Sequence, residues 1–223
     1  MALALQEAAL GTQSLTLERG ELSLANDTLN LDWPLRSDGA ANSIDLKGTV
    51  PLQPDRDALE LRVASRGDGL QFLTVLAGPG LQWQQGSADL QLLVRGSLQA
   101  PVANGFLRFR NGLFQVADGI WQVRGLDLAN MTVIRSNSGW IIVDPLTAVE
   151  SAAAGIELVK KTLGDRPISG IVFTHSHGDH YGGVAALASP EVLASGKIPI
   201  VAPHGFTDEA ISENVIAGIY MGR

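Results

Sequence analysis

The chain has 223 residues, 45% hydrophobic and 17% charged, with a net charge of −7 and no cysteine. This is long enough for one large domain or two small ones with a real core, and the composition is that of a soluble globular protein. Without a basic stripe to neutralise phosphates, the acidic balance argues against a nucleic-acid partner, and the lack of cysteine excludes disulfides and thiolate-held metals.

The first ten residues, Met-Ala-Leu-Ala-Leu-Gln-Glu-Ala-Ala-Leu, have no basic leading region, and Gln6 and Glu7 interrupt their apolar run. They are expected to be neither a signal peptide nor a membrane span, and they leave the compartment undetermined. All four histidines lie beyond residue 174, and the first 112 residues have none. Two different pieces are therefore expected, 1–112 and 113–223.

In the first piece apolar residues recur with period 2: Leu15 and Leu17, Leu22 and Leu24, Leu29, Leu31 and Trp33, Ile44 and Leu46, Leu59, Leu61 and Val63, and Leu90, Leu92 and Val94. Each run is short and bounded by Gly, Asn-Asp, Asp-Gly or Pro, which predicts a curved antiparallel sheet of half-buried strands. Leu70–Leu76 breaks the alternation and fits a short amphipathic helix or a buried strand. Strand, glycine, hydroxyl residue and proline recur in Ile44-Asp-Leu-Lys-Gly-Thr-Val-Pro and Leu93-Val-Arg-Gly-Ser-Leu-Gln-Ala-Pro, the mark of repeating β units. The aspartates scattered through this half read as turn residues bonding their own backbone.

In the second piece, two strand-like runs flank Asp118-Gly119, and Met131–Arg135 and Trp140–Asp144 read as a hairpin. Thr147-Ala-Val-Glu150 fits a capping box opening a helix, with Lys160 and Lys161 near its end and Gly164 as its stop. The chain returns to a strand over Ile168–Thr174, a β-α-β unit whose C-terminal end carries Thr174-His-Ser-His-Gly-Asp-His-Tyr-Gly-Gly. A helix is expected after His180, a strand over Lys197–Ala202, and a last helix over Asp208–Ala217 capped by Thr207.

Three histidines and one carboxylate fall within six residues: His175, His177, Asp179 and His180. If the chain is still extended at His175 and His177, their imidazoles share one side. Gly178 then lets the backbone turn and bring Asp179 and His180 toward the same pocket. Neutral imidazole and carboxylate suit zinc or a similar first-row ion, so these four are the candidate metal ligands. The alternative is a solvated polar loop, which the scarcity of histidine elsewhere makes improbable.

The His-x-His-x-Asp-His arrangement resembles the metallo-β-lactamase superfamily of dinuclear hydrolases. Together with Gly119–Thr132, Trp140-Ile-Ile-Val-Asp-Pro-Leu and Ser212-Glu-Asn-Val-Ile-Ala-Gly, it is similar to the alkyl sulfatases, zinc enzymes that hydrolyse sulfate esters such as dodecyl sulfate. That resemblance spans 113–223. It implies that His175 and His177 hold one zinc ion and Asp179 and His180 a second, with Asp179 the catalytic residue among them and a metal-bound hydroxide as nucleophile. Asp144 is expected to orient another group or end its strand, Tyr181 to line the pocket or pack, and His204 to cap a loop. The family draws further ligands from downstream, whereas 43 residues follow His180 here, so the site is expected to be incomplete.

Residues 15–112 resemble the repeat region of TamB-type translocation and assembly proteins, through the two repeated segments together with Trp83–Leu90 and Asn104–Gly112. This implies an envelope β-groove suited to lipid or nascent β-strands. The expected fold class is thus α+β: a repetitive antiparallel β-sheet followed by a partial metallo-β-lactamase-like αββα layer. The expected function is zinc-dependent hydrolysis of an alkyl sulfate ester; the alternative is a non-enzymatic groove module binding lipid or β-strands. Both resemblances suggest periplasm or cell envelope, and no transmembrane segment is expected.

Overall fold

The computed structural model describes residues 2–3, 8–10, 13–17, 20–37, 39–71, 74 and 80–217. The chain divides into two compact units, 1–79 with 86–109, and 80–85 with 110–223.

The first unit is built from strands β1 (Ala2–Leu3), β2 (Ala8–Leu10), β3 (Gln13–Leu17), β4 (Gly20–Ala25), β5 (Thr28–Ser37), β6 (Ile44–Pro51) and β7 (Leu59–Ser65), with most of β8 (Gln82–Gly96) and the start of β9 (Pro101–Ala117). Neighbours pair antiparallel from β4 through β8, and β3 continues the edge of β5 beyond β4. The alternation sorts the side chains by face. Asp32 stands opposite Lys47 and Glu60 opposite Arg95, and both pairs form ion pairs, at 2.6 and 3.2 Å. On the alternate positions Leu31, Gly48, Leu61 and Val94 follow one another across the strands, with Leu61 and Val94 a half-buried apolar pair. Such cross-strand pairs, each worth about 0.2–1 kcal/mol, are what hold a sheet together. The Leu70–Leu76 segment lies mostly outside the described residues.

The second unit continues β9 and adds β10 (Ile120–Arg124), β11 (Met131–Arg135), β12 (Trp140–Val143), β13 (Ile168–Val172) and β14 (Ile200–Val201). The order is β9-β10-β11-β12-β13-β14, antiparallel as far as β12 and parallel across β12-β13-β14. Helix α1 (Val149–Leu163) supplies the crossover between β12 and β13. The remaining helical pieces are short: α2 (Gly178–Tyr181), a 3-10 turn over Gly182–Ala186, α3 (Pro190–Ala194), α4 (Phe206–Ile211) and a π-helical turn over Ser212–Ala217.

Strict alternation places Trp121, Val123, Met131, Val133, Trp140 and Ile142 on one buried face, where they meet Leu146, Ile156 and Val159. Burying each large side chain contributes about 1.5–3 kcal/mol, so this face, with α1 laid on it, is the core that fixes the β12 and β13 ends. Gly155 of α1 sits where a Cβ would stand 2.8 Å from the Met131 Cε, which brings helix and sheet together. Among the described residues no helix is long and apolar enough to cross a membrane.

Three local expectations are corrected. Thr147 is not the cap of α1: the helix begins after Ala148, and the Thr147 hydroxyl instead donates to Asp127 Oδ1 at 2.8 Å. The expected strand over Lys197–Ala202 shrinks to Ile200–Val201, where it meets β13. The last helical segment starts after Gly205, whose φ of 78° suits glycine, so Thr207 lies inside the helix rather than capping it.

Candidate metal centre

The site forms where β12 and β13 end side by side. β12 stops at Val143, and Asp144 takes a left-handed conformation, φ 54°, uncommon outside glycine and tolerated best by Asp and Asn. Its backbone N–H still donates to Val172 of β13 at 3.0 Å, so the turn stays registered to the neighbouring strand. The buried Asp144 side chain therefore faces the residues that follow β13. Thr174 donates to it twice, from its N–H to Oδ1 at 2.8 Å and from its hydroxyl to Oδ2 at 2.6 Å. His180 Nδ1 stands 2.9 Å from the same Oδ2.

The turn after His180 is held against this loop. A Cβ on Gly182 would stand 2.2 Å from the Thr147 carbonyl oxygen, and one on Gly183 would stand 2.1 Å from that of Pro145. Only glycine permits so close an approach, which Gly183 completes by donating to Leu146 O at 2.9 Å. Asp127 secures the other side: its carboxylate accepts from Leu128 N, Thr147 N, the Thr147 hydroxyl and Ser151 Oγ. Burial opposes its ionisation, yet the hydrogen bonds from Ser151, Thr147 and the backbone prevail and hold its carboxyl below the usual range.

Three of the expected ligands converge. His175 Nε2 lies 3.0 Å from His177 Nδ1, and the rings of His175 and His180 are 4.1 Å apart. One donor atom each from Asp144, His175 and His180 lies within 4.8 Å of the others, a grouping that could hold a metal ion. Asp179 approaches from the side, with Oδ2 3.4 Å from His180 Nε2. The convergence does not come from strand alternation as expected. β13 ends at Val172; His175 lies on the bend that follows it, and His177 is the extended residue just before α2.

The hydrogen bonds determine where the lone pairs are. Thr174 has one hydroxyl proton, which a carboxylate can only accept, so it goes to Asp144; its oxygen then accepts from His175 Nδ1–H, 2.8 Å away. His175 Nε2 is left with its lone pair. The same reasoning applies to His180, whose Nδ1–H donates to Asp144 and whose Nε2 is left with the lone pair. Both Asp144 oxygens accept from donors, so Asp144 can orient the two imidazoles.

This donor set fits a cation. Two nitrogens held 2.0–2.1 Å from one tetrahedral zinc stand about 3.3 Å apart, close to the spacing of His175 Nε2 and His177 Nδ1. His180 Nε2 and the Asp179 oxygen are likewise two acceptors facing each other, an arrangement that a positive charge between them stabilises.

The metallo-β-lactamase superfamily model matches residues 124–219. A linear primary-alkylsulfatase of Pseudomonas sp. is 45% identical over 113 residues, 51% of this chain and 17% of that protein. An alkyl/aryl-sulfatase of Saccharomyces cerevisiae is 41% identical over 113 residues, 51% of this chain and 18% of that protein. Over this stretch the chain is similar to metallo-β-lactamase superfamily proteins of alkyl sulfatase type. A solved stereoselective inverting sec-alkylsulfatase from Pseudomonas sp. is also similar, with 42% identity and a TM-score of 0.47 over 49% of this chain and 17% of that one. The chain thus spans less than a fifth of the alkylsulfatases it matches. The TamB-type resemblance of residues 15–112 finds no support among the four matching relatives, all of them alkylsulfatases.

In the matched stretch, Tyr181 packs edge-on against both Phe173 and Phe206, with ring centroids 6.0 and 5.3 Å away, and those two rings stack on each other. His204 is exposed on a turn outside the histidine cluster. Sequence reasoning missed Thr174 and Asp127 as supports of the site. It also missed Glu213, whose Oε1 lies 3.0 Å from His177 Nε2, although Glu213 stands in one of the segments that carried the resemblance.

Proposed function

We propose that residues 113–223 are the first half of a metallo-β-lactamase-like domain that takes part in zinc-dependent hydrolysis of alkyl sulfate esters. The observation that carries this reading is the set of imidazole nitrogens whose other ring positions are tied back to the protein, leaving lone pairs turned toward one another. Likeness to alkylsulfatases over this stretch supports the substrate class.

In this reading His175 Nε2 and His177 Nδ1 hold one ion, and Asp179 and His180 Nε2 a second. Zinc in such a place, when bound, polarises the ester and lowers the pKa of water. The chain's own residues do the rest. Asp144 and Thr174 fix the imidazoles, and the Asp179 carboxylate, beside the cluster, takes the proton released by the attacking water. The matched stretch is 17–18% of its relatives, so the proposal assigns this chain the metal-holding motif rather than the whole substrate site.

The test is sulfate release from dodecyl sulfate, kept below its micelle concentration, by the purified zinc-treated chain and by its Asp179→Asn and His175→Ala variants. Zinc retained by the parent chain and reduced in both variants is the expected result, and any sulfate release follows the same order. A parent chain that takes up zinc only at background and releases no sulfate overturns the reading.

A further inference from the structure

We propose that Glu213 is a positioning residue for His177, fixing the imidazole so that Nδ1 faces the metal site. The inference rests on the metal reading above and extends it to a residue from the far end of the domain.

His175 and His180 have their orienting partners close by, at Thr174 and Asp144. His177 is more exposed, its side chain 57% accessible, and the partner that meets it is distant in sequence: Glu213 Oε1, 3.0 Å from Nε2. The negative charge of this carboxylate, which can only accept, favours the tautomer with the proton on Nε2 and the lone pair on Nδ1. Nδ1 is the atom that lies 3.0 Å from His175 Nε2. In that tautomer all three histidines present an unprotonated nitrogen to the cluster, each with a different group behind it. A carboxylate behind a metal-binding imidazole fixes its tautomer and ring orientation and raises its basicity.

The backbone around Glu213 agrees with this role. Glu213 lies in the π-helical turn Ser212–Ala217, which directly continues α4. A π turn within a helix redirects side chains and is frequent at functional sites. The pair is half open to water, and exposed ion pairs contribute little to stability. Its value lies in orientation, and that distinguishes the proposal from a merely structural contact.

The experiment compares the full chain with Glu213→Ala and Glu213→Gln. Glutamine keeps a carbonyl oxygen able to accept from Nε2–H, so it rescues orientation without the charge. The first readout is the 15N chemical shifts of the His177 ring in the metal-free protein at about pH 8.5, above the ordinary histidine range. The second is zinc affinity by competition with a chromophoric chelator. In the parent chain and Glu213→Gln, His177 carries its proton on Nε2; in Glu213→Ala the two tautomers mix, zinc binding falls about 10- to 100-fold, and the urea midpoint stays unchanged. An unchanged His177 tautomer and zinc affinity in Glu213→Ala overturns the role of Glu213 while leaving the metal reading intact. A parent chain that binds no zinc overturns the metal reading, and the tautomer measurement still decides whether Glu213 orients His177.

Discussion

Replacing Asp144 by asparagine changes a single atom and should disable two metal-facing nitrogens at once. Asp144 is only 7% exposed, and its two oxygens accept from Thr174 N–H, the Thr174 hydroxyl and His180 Nδ1–H. In the variant the amide oxygen can keep the Thr174 N–H, but the amide nitrogen then points at the hydroxyl and at His180 Nδ1. To avoid opposed donors, His180 must move its proton to Nε2. The Thr174 hydroxyl proton, no longer accepted by a carboxylate, turns to His175 Nδ1 and moves the His175 proton to Nε2 as well. Rotating the amide the other way opposes the Thr174 N–H instead. Losing such an outer support costs about 10- to 100-fold in metal affinity, which corresponds to about 1.4–2.8 kcal/mol. Stability should fall by about 1–3 kcal/mol for the charge-assisted bonds lost. Chelator competition measures the affinity, and a urea titration confirms that the variant is folded. A folded Asp144→Asn chain that binds zinc as tightly as the parent refutes the reasoning that Asp144 sets the two tautomers.

Further outcomes follow from the supports around the site. Gly183→Ala places a Cβ against the Pro145 carbonyl and 2.7 Å from Ala152 Cβ, and should lower stability by about 1–3 kcal/mol, read as a lower urea midpoint at constant m. Asp127→Ala removes the group that secures the start of α1, with an expected loss of about 0.5–2 kcal/mol in the same titration. Because the Asp127 carboxyl is held below its usual range when folded, its contribution is present above the unfolded pKa and is lost as pH falls through the folded one. The parent chain should therefore lose more stability than Asp127→Asn on acidification below about pH 4. Met131→Ala, at a side chain with no exposed surface, should cost about 2–5 kcal/mol.

What the sequence makes legible is what local pattern determines. Alternation is clearest in β10 to β12, whose buried and half-buried positions succeed one another as far as the exposed Arg135 at the end of β11. The histidine cluster is legible because three imidazoles and a carboxylate, all side chains able to bind metal, fall within six residues of a chain with one other histidine. The manner of their convergence is not legible. β13 is too short to carry His175 and His177, so they meet through the bends after Val172, and which ring nitrogen each presents depends on Thr174, Asp144 and Glu213. These partners come together only when β12 lies beside β13 and the last helical segment reaches the site, a matter of tertiary contact that no local pattern encodes. Thr147 illustrates the same limit. Its sequence context suits a helix cap, but Asp127, 20 residues away, captures both its N–H and its hydroxyl.

Zinc uptake by the purified chain, set against a His175→Ala/His180→Ala double variant, tests the central claim most directly. The account predicts saturable zinc binding in the parent chain and its loss in the double variant, with both proteins unfolding cooperatively in urea. Uptake at background in the folded parent chain, or equal uptake by the two proteins, contradicts it.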